Sequence, residues 1–316
     1  MQIAEAASLS RDILAALQQV IIGKERVLQH LLLGVYSGGN ILIEDLPGLA
    51  KTLIARLIAQ VTGLQFKRIQ FTPDLLPGDI TGGFIYNQKL GEFEFRPGPL
   101  FTNLVLADEV NRAPPKTQAA LLEVMQERQV TVEGTTYPVP LPFVVLATQN
   151  PIELEGTYPL PEAQLDRFIM RLRVGYPSPE EERQILAQRG ARRQDQAALE
   201  PVIDAARLRQ MQAAVEHVHA GEAIEQYIVS ITAATRQHPQ VQVGVSPRGS
   251  LALYQLARAH AMVQERDFVL PDDVKAMASA ALAHRLLLKP ELWVRGVQAE
   301  DIVRDLLARI PVPKAD

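Results

Sequence analysis

The stretch Ile41-Leu-Ile-Glu-Asp-Leu-Pro-Gly-Leu-Ala-Lys-Thr52 constrains this chain more than any other. A short apolar run, Ile41 to Ile43, leads into a turn containing Pro47 and Gly48. Lys51-Thr52 and the amphipathic segment Leu53-Ile-Ala-Arg-Leu-Ile-Ala-Gln-Val61 follow. Strand, loop and helix, with an ammonium and a hydroxyl where the helix begins, is an arrangement that binds phosphate. Successive backbone N–H groups of Leu46, Pro47's neighbours, Gly48, Leu49 and Ala50 wrap the anion, and the helix N-terminus adds partial positive charge. The lysine reaches the β- and γ-phosphates and the hydroxyl ligates Mg²⁺. The general pattern G-x-x-x-x-G-K-[ST] is not met literally, because Asp45 and Ala50 stand at the two glycine positions. On these residues alone, an ordinary strand-to-helix turn ending in a surface lysine is the alternative.

A second segment supplies what such a loop needs. Asn103-Leu-Val-Leu-Ala-Asp-Glu109 is an apolar run ending in two acids, which suits a buried parallel strand. Parallel sheets bind ligands beyond the carboxyl ends of their strands, so Asp108 is expected beside the loop, holding Mg²⁺ with Thr52. Glu109 is then placed to polarise an attacking water. Phe143-Val-Val-Leu-Ala147 is another buried run, and Asn150 follows it. A neutral amide there can orient that water without adding negative charge, although an asparagine opening a turn before Pro151 is the plain alternative.

The remaining pattern is strand alternating with helix up to about residue 175. Gln65–Phe71 and Phe168–Val174 read as further strands, and helices are expected over 9–20, 25–36 and after Pro114-Pro115. Two alternating pairs interrupt this order: 83–87 with 92–96, and 129–132 with 136–139. Both read as β-hairpins. Residues 1–175 are therefore expected to form an α/β domain with a mostly parallel sheet, an insert at about 76–100 and a hairpin at about 129–139. Beyond Gly175, Ser178-Pro179 with Glu181 forms a capping box, and only helical periodicity follows, so 176–316 reads as an all-α domain.

Composition excludes several other classes. The 316 residues are 47% apolar and 22% charged, as in a globular protein, and no apolar run approaches the length of a membrane span. The N-terminus Met-Gln-Ile-Ala-Glu-Ala-Ala is not a secretory signal. With no cysteine, disulfides and thiolate chemistry are ruled out, which fits a cytoplasmic setting. A net charge of −4 argues against a broad nucleic-acid surface. The six histidines show no ligand spacing.

Two arginines complete the reading. Arg167, in Leu165-Asp-Arg-Phe168, is either an ion-pair partner of Asp166 or a finger donated to a neighbouring subunit. Arg248 lies in the first turn of a helix capped by Ser246, where a cation is disfavoured unless an anion compensates it. Taken in order, Lys51-Thr52, Asp108-Glu109, Asn150, Arg167 and Arg248 resemble the Walker A, Walker B, sensor 1, arginine finger and sensor 2 of an AAA+ ATPase. More narrowly, Gln70-Phe-Thr-Pro-Asp-Leu-Leu-Pro77, Gly91-Glu-Phe-Glu-Phe-Arg-Pro-Gly-Pro-Leu100 and Ala107-Asp-Glu-Val-Asn-Arg-Ala-Pro-Pro-Lys-Thr-Gln118 resemble the MoxR family, as do the blocks at 149–159 and 161–168.

That resemblance implies an AAA+ parallel-sheet domain followed by a helical lid, ATP and Mg²⁺ as cofactors, and Arg248 sensing the γ-phosphate from the lid. It also implies Ile22 and Gly23 beside the adenine, a homo-oligomeric hexameric ring, and a von Willebrand factor A domain protein and client protein as partners. Ala50 is ordinary for the family, whereas Asp45 departs from its usual glycine. An extra carboxylate beside phosphates weakens affinity unless it points away. Two rival readings stand beside this one. A nucleic-acid motor is suggested by the inserted hairpin, though Glu92 and Glu94 oppose phosphate binding there. A nucleotide-gated scaffold with weak hydrolysis is suggested by Asp45.

Overall fold

Residues that alternate along a buried strand face opposite sides of its sheet, and here both sides are covered. The computed structural model describes residues 1–152, 156–192, 197–292 and 296–313. Within the segments quoted above, Glu153–Glu155 and the tail Lys314–Asp316 lie outside the described residues. Helices α1 (Ile3–Gln18) and α2 (Glu25–Tyr36) lead into β1 (Ile41–Glu44), and α3 (Lys51–Val61) and β2 (Phe66–Gln70) follow. The short α4 (Pro77–Thr81) introduces the hairpin β3 (Gly82–Asn87) and β4 (Glu92–Pro97). Then come β5 (Leu104–Asp108), α5 (Pro115–Glu127), the hairpin β6 (Gln129–Val132) and β7 (Thr135–Pro138), β8 (Val144–Gln149), the single turn α6 (Glu162–Leu165) and β9 (Met170–Leu172).

Five strands form one parallel sheet in the order β2-β5-β8-β1-β9. Ile41, Ile43, Leu104, Leu106, Val144 and Leu146 point into a core shared with α1, α2, α3 and the helices of the second half. Leu42, Val105, Ala107, Val145 and Ala147 point the other way, against α5 and the rings of Phe71, Phe143 and Phe168. Each fully buried leucine contributes roughly 1.5–3 kcal/mol. This two-sided burial explains why the strands read as unbroken apolar runs. It also brings the carboxyl ends of β1, β5 and β8 side by side, with β8 between the other two.

The hairpins stand off the sheet and meet each other. Phe95 of β4 stacks on Tyr137 of β7, with ring centroids 4.0 Å apart and planes 10° from parallel. Tyr86 and Phe93, paired across β3 and β4, are 56% and 69% exposed. These large apolar groups face solvent.

The second half comprises α7 (Pro179–Arg192), α8 (Ala205–Glu216), α9 (Glu222–Gln237), β10 (Val241–Val243), α10 (Pro247–Val263), α11 (Pro271–Leu282), β11 (Leu287–Leu288) and α12 (Ala299–Arg309). The expected capping box forms, with Ser178 N donating to Glu181 Oε2 at 2.6 Å and Glu181 N to Ser178 Oγ at 3.3 Å. Ser246 caps α10 as expected. The helical reading needs one amendment. β10 and β11 pair as a small antiparallel ribbon, too short to leave a period-two signal. Among the described residues no helix is long and apolar enough to cross a membrane.

Candidate active site

The turn after β1 is shaped by two residues with positive φ, Gly48 at 82° and Ala50 at 57°. Ala50 is the N-cap of α3. A non-glycine residue in this region costs about 1–3 kcal/mol, and alanine carries the smallest side chain that must bear it. The bend makes the backbone from Pro47 to Leu53 one wall of a cavity of about 440 Å³, with Lys51 and Thr52 on it. Asp108, Glu109, Thr148 and Asn150, at the ends of β5 and β8, form the opposite wall.

Lys51 Nζ donates to the carbonyls of Asp45 at 2.8 Å and Leu46 at 2.9 Å. Burial pushes its pKa down, while Asp45, Asp108 and Glu109 push it back up. The ammonium is thus held at the cavity by weak neutral acceptors. Asp45 itself turns away from the cavity. Its carboxylate accepts the N–H of Leu46 at 2.9 Å and that of Gly175 at 2.6 Å, and its φ is not positive. The departure from glycine therefore does not strain the loop, and the carboxylate is spent on two backbone N–H groups although its charge is felt at Lys51.

Across the cavity, Asp108 Oδ1 accepts the Thr148 hydroxyl at 2.5 Å, and Oδ2 receives Arg68 Nη2 at 2.7 Å. Thr148 Oγ1 in turn accepts the Glu109 N–H at 2.9 Å. One hydroxyl thus fixes both acids. Glu109 has φ 57°, and Gln70 Nε2 and Arg112 Nε reach its Oε2 at 2.8 and 3.2 Å. Asn150 is 4% exposed, and its buried Nδ2 has no partner among the described residues. A buried amide donor left unmade is costly, and this one lies at the wall of the cavity. Thr52 and Asp108 together offer a hydroxyl and a carboxylate, hard oxygen donors that suit Mg²⁺. Arg68 beside Asp108 shows that this carboxylate already holds positive charge.

A second cavity of about 260 Å³ shares Gly48, Leu49, Ala50 and Leu53 with the first. Its walls, including Ile21, Ile22, Ile54, Val174 and Ile185, are largely apolar and suit a flat heterocycle. Ile22 is one of these lining residues. Gly23 does not line this cavity: its φ is 71°, and a Cβ there would lie 1.9 Å from Glu181 Oε1. Leu46 is not a wall either, because its contribution is the carbonyl offered to Lys51. Sequence patterning missed the part played by α7, whose Ile185 and Gln188 close this cavity.

The structure does not bring Arg167 and Arg248 to the first cavity. Both line a third, of about 350 Å³, with Asp166 and Arg285. Arg167 does not pair with Asp166. Its Nη1 donates to Leu122 O at 3.0 Å and its buried Nε has no partner among the described residues. Asp166 is taken instead by Arg285 Nε at 2.9 Å and by the Ser246 hydroxyl at 2.8 Å. That second bond explains the position of Arg248: the N-terminus of α10 is tied to the segment before β9, not to the loop after β1. Arg68, Gln70, Thr148 and Arg285 were not singled out from the sequence. The only signal for Gln70 was its place at the carboxyl end of a strand, where it pairs in register with Asp108.

Comparison with known proteins identifies relatives and matching family models. The family model of the ATPase family associated with various cellular activities (AAA) matches residues 40–170, and the AAA lid domain matches residues 233–306. The chain is 51% identical to the YeaC protein of Bacillus subtilis (strain 168), over 94% of its own length and 92% of that protein's. It is 44% identical to Chaperone MoxR1 of Mycobacterium tuberculosis (strain ATCC 25618 / H37Rv), over 99% of its length and 84% of that protein's. A crystal structure from Cytophaga hutchinsonii, of a protein proposed to be an ATPase, superposes with a TM-score of 0.92 at 40% identity. The match covers 99% of this chain and 97% of that one.

Proposed function

This chain belongs to the MoxR family of AAA+ ATPases, and from that premise we propose that it hydrolyses ATP with Mg²⁺ in a hexameric ring to remodel client proteins. ATPase activity and chaperone-like action follow from the family. The residue roles, the metal, the ring and the partner are our reading. The observation that carries it is the shared cavity of Lys51, Thr52, Asp108, Glu109 and the partnerless Asn150 amide.

In this reading the backbone from Pro47 to Thr52 cradles the phosphates, and Lys51 exchanges two carbonyls for the β- and γ-phosphate oxygens. Thr52 and Asp108 would hold Mg²⁺, which would supply positive charge to the phosphates. Glu109 takes the proton of the attacking water, and Asn150 donates its free N–H to the water or the γ-phosphate. Ile22 and the apolar cavity hold the base. Arg167 and Arg248 share one face, so both serve a neighbouring subunit's nucleotide; this reassigns Arg248 from its own subunit's site. The lid begins near residue 176. The exposed hairpin with Tyr86 and Phe93 meets the client, a von Willebrand factor A domain protein assists, and the ring works in the cytoplasm.

The experiment is ATP turnover at increasing protein concentration, with Mg²⁺ or with a chelator, alongside sedimentation with ATP. Turnover per subunit that rises with assembly into a species of about six subunits and is lost with the chelator supports the reading. Equal turnover by a monomer contradicts it.

A further inference from the structure

We propose that Asp166 is a positioning residue that holds Arg167 and Arg248 as one rigid pair across the two domains. The inference rests on the reading that these arginines act on a neighbouring subunit's nucleotide.

Asp166 precedes Arg167 in the chain, and both of its carboxylate oxygens are committed to the second domain. Oδ1 takes Arg285 Nε at 2.9 Å, and Oδ2 takes the Ser246 hydroxyl at 2.8 Å. Ser246 then accepts the Arg248 N–H at 3.1 Å, in the first turn of α10. From the backbone of one arginine to that of the other there is only one carboxylate and one hydroxyl. Arg285 reinforces the link from the far side. Its side chain is 3% exposed, and Nη2 donates to Asp166 O at 3.1 Å and Phe168 O at 2.6 Å. The carbonyls on both sides of Arg167 are thus gripped by one planar guanidinium, whose donors have a fixed geometry.

The contrast with the arginines it positions is informative. Arg167 has no carboxylate partner among the described residues, and the Arg248 side chain has no hydrogen bond or ion pair there. Among the described residues the only carboxylate lining their cavity is Asp166, and it is spent on Arg285 and Ser246. An acid that merely cemented two domains would serve equally well anywhere along their contact. This one sits where it leaves the two arginines uncompensated and fixes their spacing. Rotation of the lid against the sheet must break this link before the arginines can separate.

Two variants test the proposal in mixed-subunit ATPase assays. Asp166→Asn removes the charge and keeps the shape. Ser246→Ala removes only the hydroxyl relay and leaves the ion pair with Arg285, so it remains informative if Asp166→Asn does not fold. Each alone is expected to lose kcat by ~10–100-fold, less than the ~10³–10⁵ of an absent finger, with KM for ATP within about twofold because its own nucleotide cavity is untouched. Mixed with Lys51→Ala subunits, which keep the arginine face but not the phosphate site, each recovers turnover. Mixed with Arg167→Ala subunits, neither recovers, because both partners lack the same face. Wild-type turnover in both variants, a rise in KM without loss of kcat, or recovery with Arg167→Ala overturns the proposal. The control pair Arg167→Ala with Lys51→Ala separates the two levels. No recovery there removes the reading that the arginines act in trans. Recovery there without recovery of Asp166→Asn or Ser246→Ala with Lys51→Ala removes only the positioning role.

Discussion

The Asp45 carboxylate accepts the backbone N–H of Gly175 at 2.6 Å, joining residues 130 positions apart. It ties the start of the phosphate loop to the segment that leads into α7, and α7 closes the apolar cavity. The two cavities are therefore held in fixed register by a residue that lines neither of them. Asp45→Ala leaves the half-buried Gly175 and Leu46 N–H groups without this acceptor, at a cost of about 1 kcal/mol for each hydrogen bond lost. The expected result is a lower Tm and weaker ATP binding, seen as a raised KM with kcat less affected. Calorimetric titration with a slowly hydrolysed ATP analogue checks this; unchanged affinity contradicts it.

Thr148 joins Asp108 to Glu109 through one hydroxyl. Thr148→Val keeps the shape and removes both bonds, leaving Glu109 in its φ 57° conformation without its N–H acceptor. Turnover is expected to fall by ~10-fold or more while nucleotide binding persists, since the loss falls on groups that act in the transition state. A steady-state assay with parallel binding measurements decides it.

His30 makes stability depend on pH. Burial first, then Arg26 and His260, lower its pKa from 6.5 to about 4. The unfolded chain binds this proton more readily than the folded one, so stability is complete above pH 6.5 and falls as pH drops through the window from 6.5 to about 4. The full effect is about 3 kcal/mol. His284 is also lowered, by burial and then by Arg285, so its contribution has the same sign. His30→Gln is expected to show a smaller loss of Tm between pH 7 and pH 4.5 than the unchanged protein, with a residual slope from His284. An identical loss contradicts the assignment.

The parts of the site that were legible in the sequence share a physical reason. Lys51, Thr52, Asp108, Glu109 and Asn150 each follow an apolar run buried on both faces, and parallel topology gathers such ends at one edge. Arg68, Gln70 and Thr148 act through pairing between strands far apart in the chain, and that register is not written in any local period. Arg248 lines the third cavity and not the first, which the sequence does not reveal because a helix start shows its cap but not the surface it docks on. That surface is set by Asp166, whose bonds to Ser246 and Arg285 cross the two domains. Gly23 read as part of the base site by its position; its positive φ, and the Glu181 side chain where a Cβ would lie, are two features that favour glycine there and that the sequence does not show. The ribbon of β10 and β11 was too short to compete with the helical pattern around it.

The central claim is that the cavity between the loop after β1 and the ends of β5 and β8 hydrolyses ATP. Glu109→Gln tests it most directly, in a steady-state ATPase assay run beside a measurement of ATP affinity. The account predicts that the variant binds ATP as the unchanged protein does and hydrolyses it ~10²–10⁴-fold more slowly. Turnover equal to that of the unchanged protein contradicts it.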